Sequence, residues 1–301
     1  MAKKLFCYLL IAVVISACST NPYKNTEKAY DQQLKNLENQ ITSKEAKAIP
    51  AVSPVVIDTS YAQQLGIIKD TLSKTGSTYL VNGINTEWIG TVNFNLRKPS
   101  FVIIHHTAQD SIQQTINTFT KTKTQVSAHY VISENGKVVQ MLNDYLRAWH
   151  AGNSTWGKTT DLNSCSIGIE LDNNGFKPFT EAQISSLVAL LTKLKKDYNI
   201  PTQNFIGHAD IAPGRKQDPS ALFPWKTLAE KGFGIWPDEV LEPAPFDFKI
   251  EPALRIIGYN TKNLTAAIQA FKLHYIQTDI TSVLDRKTID TIYSIYKKQV
   301  Q

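Results

Sequence analysis

Three short apolar runs constrain the fold of this 301-residue chain more than any other feature. They are FVIIHH at 101–106, SIGIEL at 166–171 and NFIGH at 204–208. Short runs rich in branched aliphatic residues are typical of strands buried inside a sheet. A further segment, HYVISENGKVVQML at 129–142, predicts a β-hairpin, because Asn-Gly adopts the positive φ angles of a tight turn.

Helical patterns alternate with these strands. After the first strand, Ile112, Ile116 and Phe119 share one face of a predicted helix. A longer helix begins at Thr180, which has the spacing of a capping box with Gln183. The sequence therefore predicts an α/β fold with a central mixed β-sheet flanked by helices.

A proline-rich stretch at 237–246 predicts a junction between two domains. The main domain is expected to span 51–240. Beyond the junction, helical patterns at 263–275 and 286–298 predict a small all-α C-terminal module at 245–300.

The charge of the chain argues against one class of partner. The formal net charge is +6, and the sequence pI is near 9.0. The basic residues are spread along the sequence, whereas nucleic-acid binding would gather them on one element. We expect no nucleic-acid partner, and a mild positive charge also suits an anionic polymer through long-range attraction.

The N-terminus has the pattern of a secretory signal. Lys3 and Lys4 precede an apolar run from Leu5 to Ile15, and small residues follow. This run is too short to cross a bilayer as a helix. We predict a signal peptide at 1–17, and an uncleaved N-terminal anchor is the alternative.

The end of this signal, VISAC, resembles a bacterial lipobox. The resemblance implies that Cys18 is lipidated and that acyl chains tether the mature protein to a membrane. Ser19, in the place where aspartate would retain the protein at the inner membrane, implies the outer membrane, and we expect the periplasmic side. The polar segment 18–50 predicts a flexible tether in which a transient helix can form. An anchored, tethered domain predicts a monomer.

Polar groups at two strand ends suggest a metal site. His105 and His208 end two of the predicted strands. Asp218 follows on the segment GHADIAPGRKQDPSALFPW at 207–225, where proline and glycine disfavour a helix or strand. Two imidazoles and a carboxylate, with a fourth position for water, make up a catalytic zinc site. From spacing alone, three hydrogen-bonded structural groups remain the alternative.

Four blocks of the sequence resemble the zinc-dependent N-acetylmuramoyl-L-alanine amidases of the type-2 family, which are related to peptidoglycan recognition proteins. The blocks are FVIIHHTAQ, SAHYVISENGKVVQMLNDYLRAWHAG, SIGIEL and GHADIAPGRKQDPSALFPW. They follow the family's order and approximate spacing over roughly residues 90–235. The last block resembles the subgroup whose third zinc ligand is aspartate.

The resemblance implies one zinc ion per chain, with His105, His208 and Asp218 as its ligands. It also implies that Glu170 is the general base and that Lys216 lies beside the metal. A carboxylate at a strand end can take a proton from water and return it to the leaving amine. A lysine in the same pocket can stabilise an oxyanion.

Other residues of these blocks lie outside the expected ligand set. Trp149 and His150 resemble the family's cleft wall, so substrate contact and simple packing both remain open. His106 should point away from the ligands by strand alternation and support the site. Arg215 is expected to be structural. The helix LTAAIQAFKLHY at 264–275 resembles that of a peptidoglycan-binding domain, although core packing explains its aromatic stripe equally well.

The function that the resemblance implies is hydrolysis of the amide bond between N-acetylmuramic acid and L-alanine. The substrate would be peptidoglycan or muropeptides, and the role would be cell-wall turnover or recycling. The alternative is a non-catalytic peptidoglycan-recognition lipoprotein. Loss of a zinc ligand or of Glu170 would mark that case, and all of these residues are present.

Overall fold

The computed structural model describes residues 23–47, 78–81, 84–88, 95–96 and 99–301, and the side chains of 23–36 and 99–301. The predicted signal peptide and Cys18 lie outside these ranges. In the part of the chain that the structure describes, no helix has the length and apolar character needed to cross a membrane.

A mixed sheet of seven strands lies at the centre of the described residues, as the sequence predicted. Its strands, in spatial order, are β1 (Thr78–Val81), β2 (Ile84–Trp88), β6 (Val138–Gln140), β5 (Tyr130–Ile132), β8 (Ser166–Leu171), β4 (Phe101–His106) and β9 (Phe205–Gly207). Strands β5, β8, β4 and β9 run parallel, and β5 with β6 forms the predicted antiparallel hairpin. A separate ribbon pairs β3 (Asn95–Leu96) with β7 (Leu146–Arg147).

Two of the three apolar runs form the interior strands β8 and β4, and the third forms β9 at the edge of the sheet. Helices cover both of its faces, so side chains that point to either face of β4, β8 and β9 are buried, and the runs are apolar without alternation. Because these strands are parallel, their carboxyl ends lie on the same side of the sheet. The polar residues at those ends are therefore brought close together.

Helices and short 3-10 turns complete the described chain. The helices are α1 (Lys24–Lys47), α2 (Ile112–Phe119), α3 (Glu181–Tyr198), α4 (His208–Ile211), α5 (Trp225–Glu230), α6 (Ile250–Ile257), α7 (Leu264–Tyr275) and α8 (Arg286–Val300). The 3-10 turns are Thr122–Thr124, Leu162–Ser164 and Thr202–Asn204.

Thr180 caps α3 as predicted, since its hydroxyl accepts a hydrogen bond from the backbone N–H of Gln183. The side chain of Gln183 does not complete the capping box. It instead donates to the carbonyls of Ile132 and Asp172 and ties α3 to the sheet.

The structure differs from the expected tether over residues 24–47, which form α1. The beginning of this helix packs on the domain, where Tyr30 is buried and the Tyr23 hydroxyl accepts a hydrogen bond from Gln113 of α2. These two aromatic residues of a mostly polar segment supply apolar surface for this contact.

The C-terminal helices α6, α7 and α8 share one hydrophobic core with the sheet domain. Trp156 of the sheet domain packs edge-to-face on Tyr259, with ring centroids 5.0 Å apart. A Cβ atom at Gly258 would lie 2.3 Å from the Trp156 ring, so this contact requires glycine. The predicted junction at 237–246 therefore connects two parts that are packed together.

Candidate metal centre

Three side-chain atoms converge at the carboxyl edge of the sheet. His105 lies near the end of β4, His208 is the first residue of α4, and Asp218 lies on the loop that follows. The two Nδ1 atoms are 2.9 Å apart, and each is 3.0 Å from Oδ2 of Asp218. In a tetrahedral zinc site, metal–ligand distances near 2.0–2.1 Å put the ligand atoms about 3.3 Å apart. The three atoms thus form a triangle of suitable size.

The hydrogen bond made by Nε2 of His208 decides which of the two ring nitrogens carries the hydrogen. Nε2 lies 3.2 Å from the carbonyl oxygen of Ala151. Because a carbonyl can only accept, Nε2 carries a hydrogen, and Nδ1 is the nitrogen that can offer a lone pair to a metal ion.

A chain of hydrogen bonds fixes His105 in the same state. The hydroxyl of Ser166 donates to the carbonyl of Leu162, so its oxygen accepts from Nε2 of His150, 3.2 Å away. Nδ1 of His150 is then an acceptor for Nε2–H of His105, at 3.1 Å. The Nδ1 of His105 consequently presents a lone pair as well.

The site therefore suits a cation. The two Nδ1 atoms and Oδ2 of Asp218 are all electron-pair donors, so a cation placed between them could bind to all three. Burial, followed by the neighbouring His208, lowers the pKa of His105 to about 4, so its ring is neutral at pH 7. Nitrogen and oxygen donors of this kind fit zinc.

Glu170 stands beside His105 on the adjacent strand. The two residues are paired in the parallel ladder of β4 and β8, so their side chains leave the same face of the sheet. Burial, with a further contribution from Asp218, raises the pKa of Glu170 to about 8. Among the described residues, its Oε2 has no hydrogen-bond partner. A carboxyl group in this state can both accept and hold a proton.

Lys216 and Arg215 have different roles on the loop before Asp218. Lys216 is half-buried and lines the same cleft as Glu170 and the metal-site residues. The guanidinium of Arg215 donates to the carbonyls of Ala151 and Asn153, both at 2.8 Å. Arg215 is structural, as expected, and it holds the loop that carries Lys216.

The cleft has a volume of about 310 Å³. Trp149 lies in its wall, and the indole Nε1 is buried with no hydrogen-bond partner in the described part of the molecule. His150 also borders the cleft, but both of its ring nitrogens are engaged, by His105 and Ser166. The structure thus favours a supporting role for His150 over substrate contact and places Trp149 in the cleft wall.

His106 supports the site as expected. Its Nδ1 accepts a hydrogen bond from the backbone N–H of Ser220, 3.1 Å away, and holds the segment that follows Asp218.

Sequence reasoning missed Ser166 and Gly168 of β8. A Cβ at Gly168 would lie 2.4 Å from Cγ of His150, so only glycine leaves room for this ring. The signal was a glycine inside an apolar strand, which often marks a close approach of another group.

Known proteins match this chain in the region that contains these sequence blocks. The profile of the Amidase_2 family, described as N-acetylmuramoyl-L-alanine amidase, matches residues 95–221. N-acetylmuramoyl-L-alanine amidase AmiD of Escherichia coli K12 is 43% identical, over 46% of this chain and 54% of that protein. 1,6-anhydro-N-acetylmuramyl-L-alanine amidase AmpD of Haemophilus influenzae is 43% identical, over 34% of this chain and 55% of that protein. The chain thus spans about half the length of the curated relatives it matches.

Solved structures match over more of the fold. AmiD from E. coli, in complex with anhydro-N-acetylmuramic acid-L-Ala-D-γ-Glu-L-Lys, has a TM-score of 0.59 and 32% identity, covering 67% of this chain and 90% of that one. AmpDh3 from Pseudomonas aeruginosa, in complex with anhydromuramic pentapeptide, has a TM-score of 0.61 and 28% identity, covering 67% and 93%. The chain belongs to the Amidase_2 family of N-acetylmuramoyl-L-alanine amidases.

Proposed function

We propose that this protein is a zinc-dependent amidase that hydrolyses the bond between N-acetylmuramic acid and L-alanine in peptidoglycan or muropeptides. Its role would be cell-wall turnover or recycling. The observation that carries the proposal is the convergence of two imidazole lone pairs and a carboxylate beside Glu170, in a cleft of about 310 Å³. The substrates bound to AmiD and AmpDh3 support this class of ligand.

His105, His208 and Asp218 would hold the zinc ion, in the form of the family with an aspartate ligand. The chemistry that zinc supplies in such a site is activation of water and polarisation of a carbonyl group. The protein prepares for it by keeping both Nδ1 atoms free of hydrogen, through Ala151 and His150.

Glu170 accepts the proton of the attacking water on its carboxylate and returns it to the departing amino group of alanine. Burial raises the pKa of Glu170 above its ordinary value, so the carboxyl group can hold the proton between the two steps. The ammonium of Lys216 faces the same cleft and stabilises the negative charge that develops on the amide oxygen.

The N-terminal pattern supports a lipoprotein that is anchored through Cys18 in the outer membrane and faces the periplasm. The helical module at 245–300 would act as a peptidoglycan-binding element, and the anchored protein would work as a monomer. The lipid anchor is proposed from the sequence alone, since Cys18 lies outside the described residues.

Digestion of purified muropeptides by the full-length protein tests the activity. Anhydro and reducing-end muropeptides are incubated with wild type, Glu170→Gln and, as a matched control, Glu181→Gln, which changes an exposed carboxylate at the start of α3. We expect wild type and the control to release free stem peptide, and Glu170→Gln to be slower by about 100- to 10,000-fold.

Wild-type protein that binds zinc and muropeptide but releases no peptide from either substrate would overturn the proposal. It would favour the non-catalytic recognition lipoprotein.

A further inference from the structure

The carboxylate of Asp210 is buried in the short element that also carries the metal-site residue His208. It is 1% exposed and lies two residues after His208 in the short helix α4. Its Oδ2 accepts from the backbone N–H of Gly207 at 2.7 Å and from Nδ1 of His274 at 2.7 Å. Its Oδ1 accepts from the hydroxyl of Tyr259 at 2.6 Å. A carboxylate this deeply buried depends on such donors.

Both side-chain donors come from the C-terminal module. Tyr259 follows the end of α6, and His274 lies in α7. The His274 ring stacks on Trp225, with centroids 3.9 Å apart and planes 15° from parallel, and also on Tyr275 at 4.1 Å. Tyr259 packs on Trp156 and Phe271. The two donors are therefore held rigidly.

The hydrogen bond from Gly207 transmits this support to the metal site. It closes the beginning of α4, where His208 is the first residue, so a shift of Asp210 would move the peptide that carries His208. The Nδ1 of His208 lies 2.9 and 3.0 Å from the two atoms with which it would share a cation, so its position has to be held closely.

We propose that Tyr259 and His274 are positioning residues of the metal centre, through which the C-terminal module holds Asp210 and thereby His208. The proposal rests on the proposed zinc site. It gives the histidine of the segment LTAAIQAFKLHY a role at the catalytic domain that is separate from any contact with the cell wall.

Zinc affinity of the full-length protein, measured by competition with a chromophoric chelator, tests this role. His274→Ala removes one donor, and Tyr259→Phe removes a single oxygen atom. His274→Asn keeps an N–H donor near the position of Nδ1. Ile292→Ala is the matched control, because it truncates a fully buried side chain of α8 without touching Asp210. Thermal unfolding of each metal-free variant reports stability separately.

We expect His274→Ala to weaken zinc binding by about 10- to 100-fold, as loss of a supporting partner does in other metal sites. Tyr259→Phe should show a smaller loss, and His274→Asn should recover most of the affinity. Ile292→Ala should lower the unfolding temperature and leave zinc affinity unchanged.

Wild-type zinc affinity in both Tyr259→Phe and His274→Ala would overturn the inference, and so would an equal loss in Ile292→Ala. Tyr259→Phe keeps the test decisive if His274→Ala does not fold. Absence of zinc binding by wild type would instead refute the proposed function, and the inference with it.

Discussion

Single residues decide which nitrogen of each histidine can bind a metal ion. Ala151 and His150 occupy the Nε2 atoms of His208 and His105, so both rings direct Nδ1 at Asp218. The selection depends on acceptors outside the ligand set. The supporting residues are therefore as specific a requirement of the site as the ligands.

Removal of the His150 ring should weaken the site without changing a ligand. In His150→Ala the Nε2–H of His105 loses its buried acceptor, and the ring can then adopt the other tautomer. We expect zinc affinity to fall by about 10- to 100-fold in chelator competition. His150→Asn, whose amide oxygen can accept in place of Nδ1, should restore part of the loss. Unchanged affinity in His150→Ala would contradict the assigned role.

Glu170 should make the metal-free protein less stable as pH rises. Its pKa in the folded protein is about 8, against an ordinary value of 4.5, so the folded state holds the proton more tightly. Between these values the unfolded state binds fewer protons, and the free energy of unfolding therefore falls with increasing pH. Glu170→Gln removes this dependence.

We expect metal-free Glu170→Gln to be more stable than metal-free wild type at pH 8 by at least about 1 kcal/mol, since one pKa unit corresponds to about 1.4 kcal/mol. Urea unfolding at pH 5 and pH 8 measures the difference, which should shrink at the lower pH. If Glu170→Gln were less stable than wild type at pH 8, burial of the ionised carboxylate would not destabilise the folded protein, contrary to this prediction.

The ligand residues and Glu170 could be named from sequence blocks, because a catalytic set must keep its residue types and spacing. The part played by His150 could not, because it depends on where a ring from one loop meets the interior of β8. The hydrogen bonds to Asp210 could not be predicted either, since their donors lie 49 and 64 positions further along the chain.

At the scale of elements, strand β8 serves the site in two ways within six residues. It presents Glu170 to the cleft, and it leaves an open space at Gly168 for the ring of His150. An apolar strand with a central glycine is weaker than one without, so this space has a cost in stability.

Gly168→Ala tests this space. The new methyl group would lie 2.4 Å from Cγ of His150, so the ring has to move. We expect a loss of about 1–3 kcal/mol in stability from overpacking, together with weaker zinc binding. Ile167→Val, a buried change in the same strand, should cost about 0.5–1.5 kcal/mol and leave zinc affinity intact. Normal zinc affinity in Gly168→Ala would contradict the link between β8 and the ligands.

Strong apolar periodicity made β4, β8, α3 and the two last helices predictable, and the structure confirms them. Among the elements that the sequence did not predict, α4 and α1 are stabilised by long-range contacts. Helix α4 forms within a segment rich in proline and glycine, where Asp210 bonds Gly207 and two distant donors. Helix α1 lies where the polar composition predicted a flexible tether, and it packs through Tyr23 and Tyr30.

For the whole molecule, the shared core predicts that the sheet domain and the C-terminal module unfold together. Ile103 and Ile206 of the sheet belong to the same buried cluster as Phe271 and Ile292 of the module. We expect a single calorimetric transition, with calorimetric and van't Hoff enthalpies equal. Two resolved transitions would show that the module is an independent unit.

Removal and return of zinc test the proposed catalytic metal centre most directly. Full-length protein treated with a chelator should stop releasing stem peptide from muropeptides, and about one equivalent of zinc per chain should restore the activity. Asp218→Ala should neither retain zinc nor recover. Full activity in metal-free protein, or in Asp218→Ala, would contradict the claim that His105, His208 and Asp218 form a catalytic metal centre.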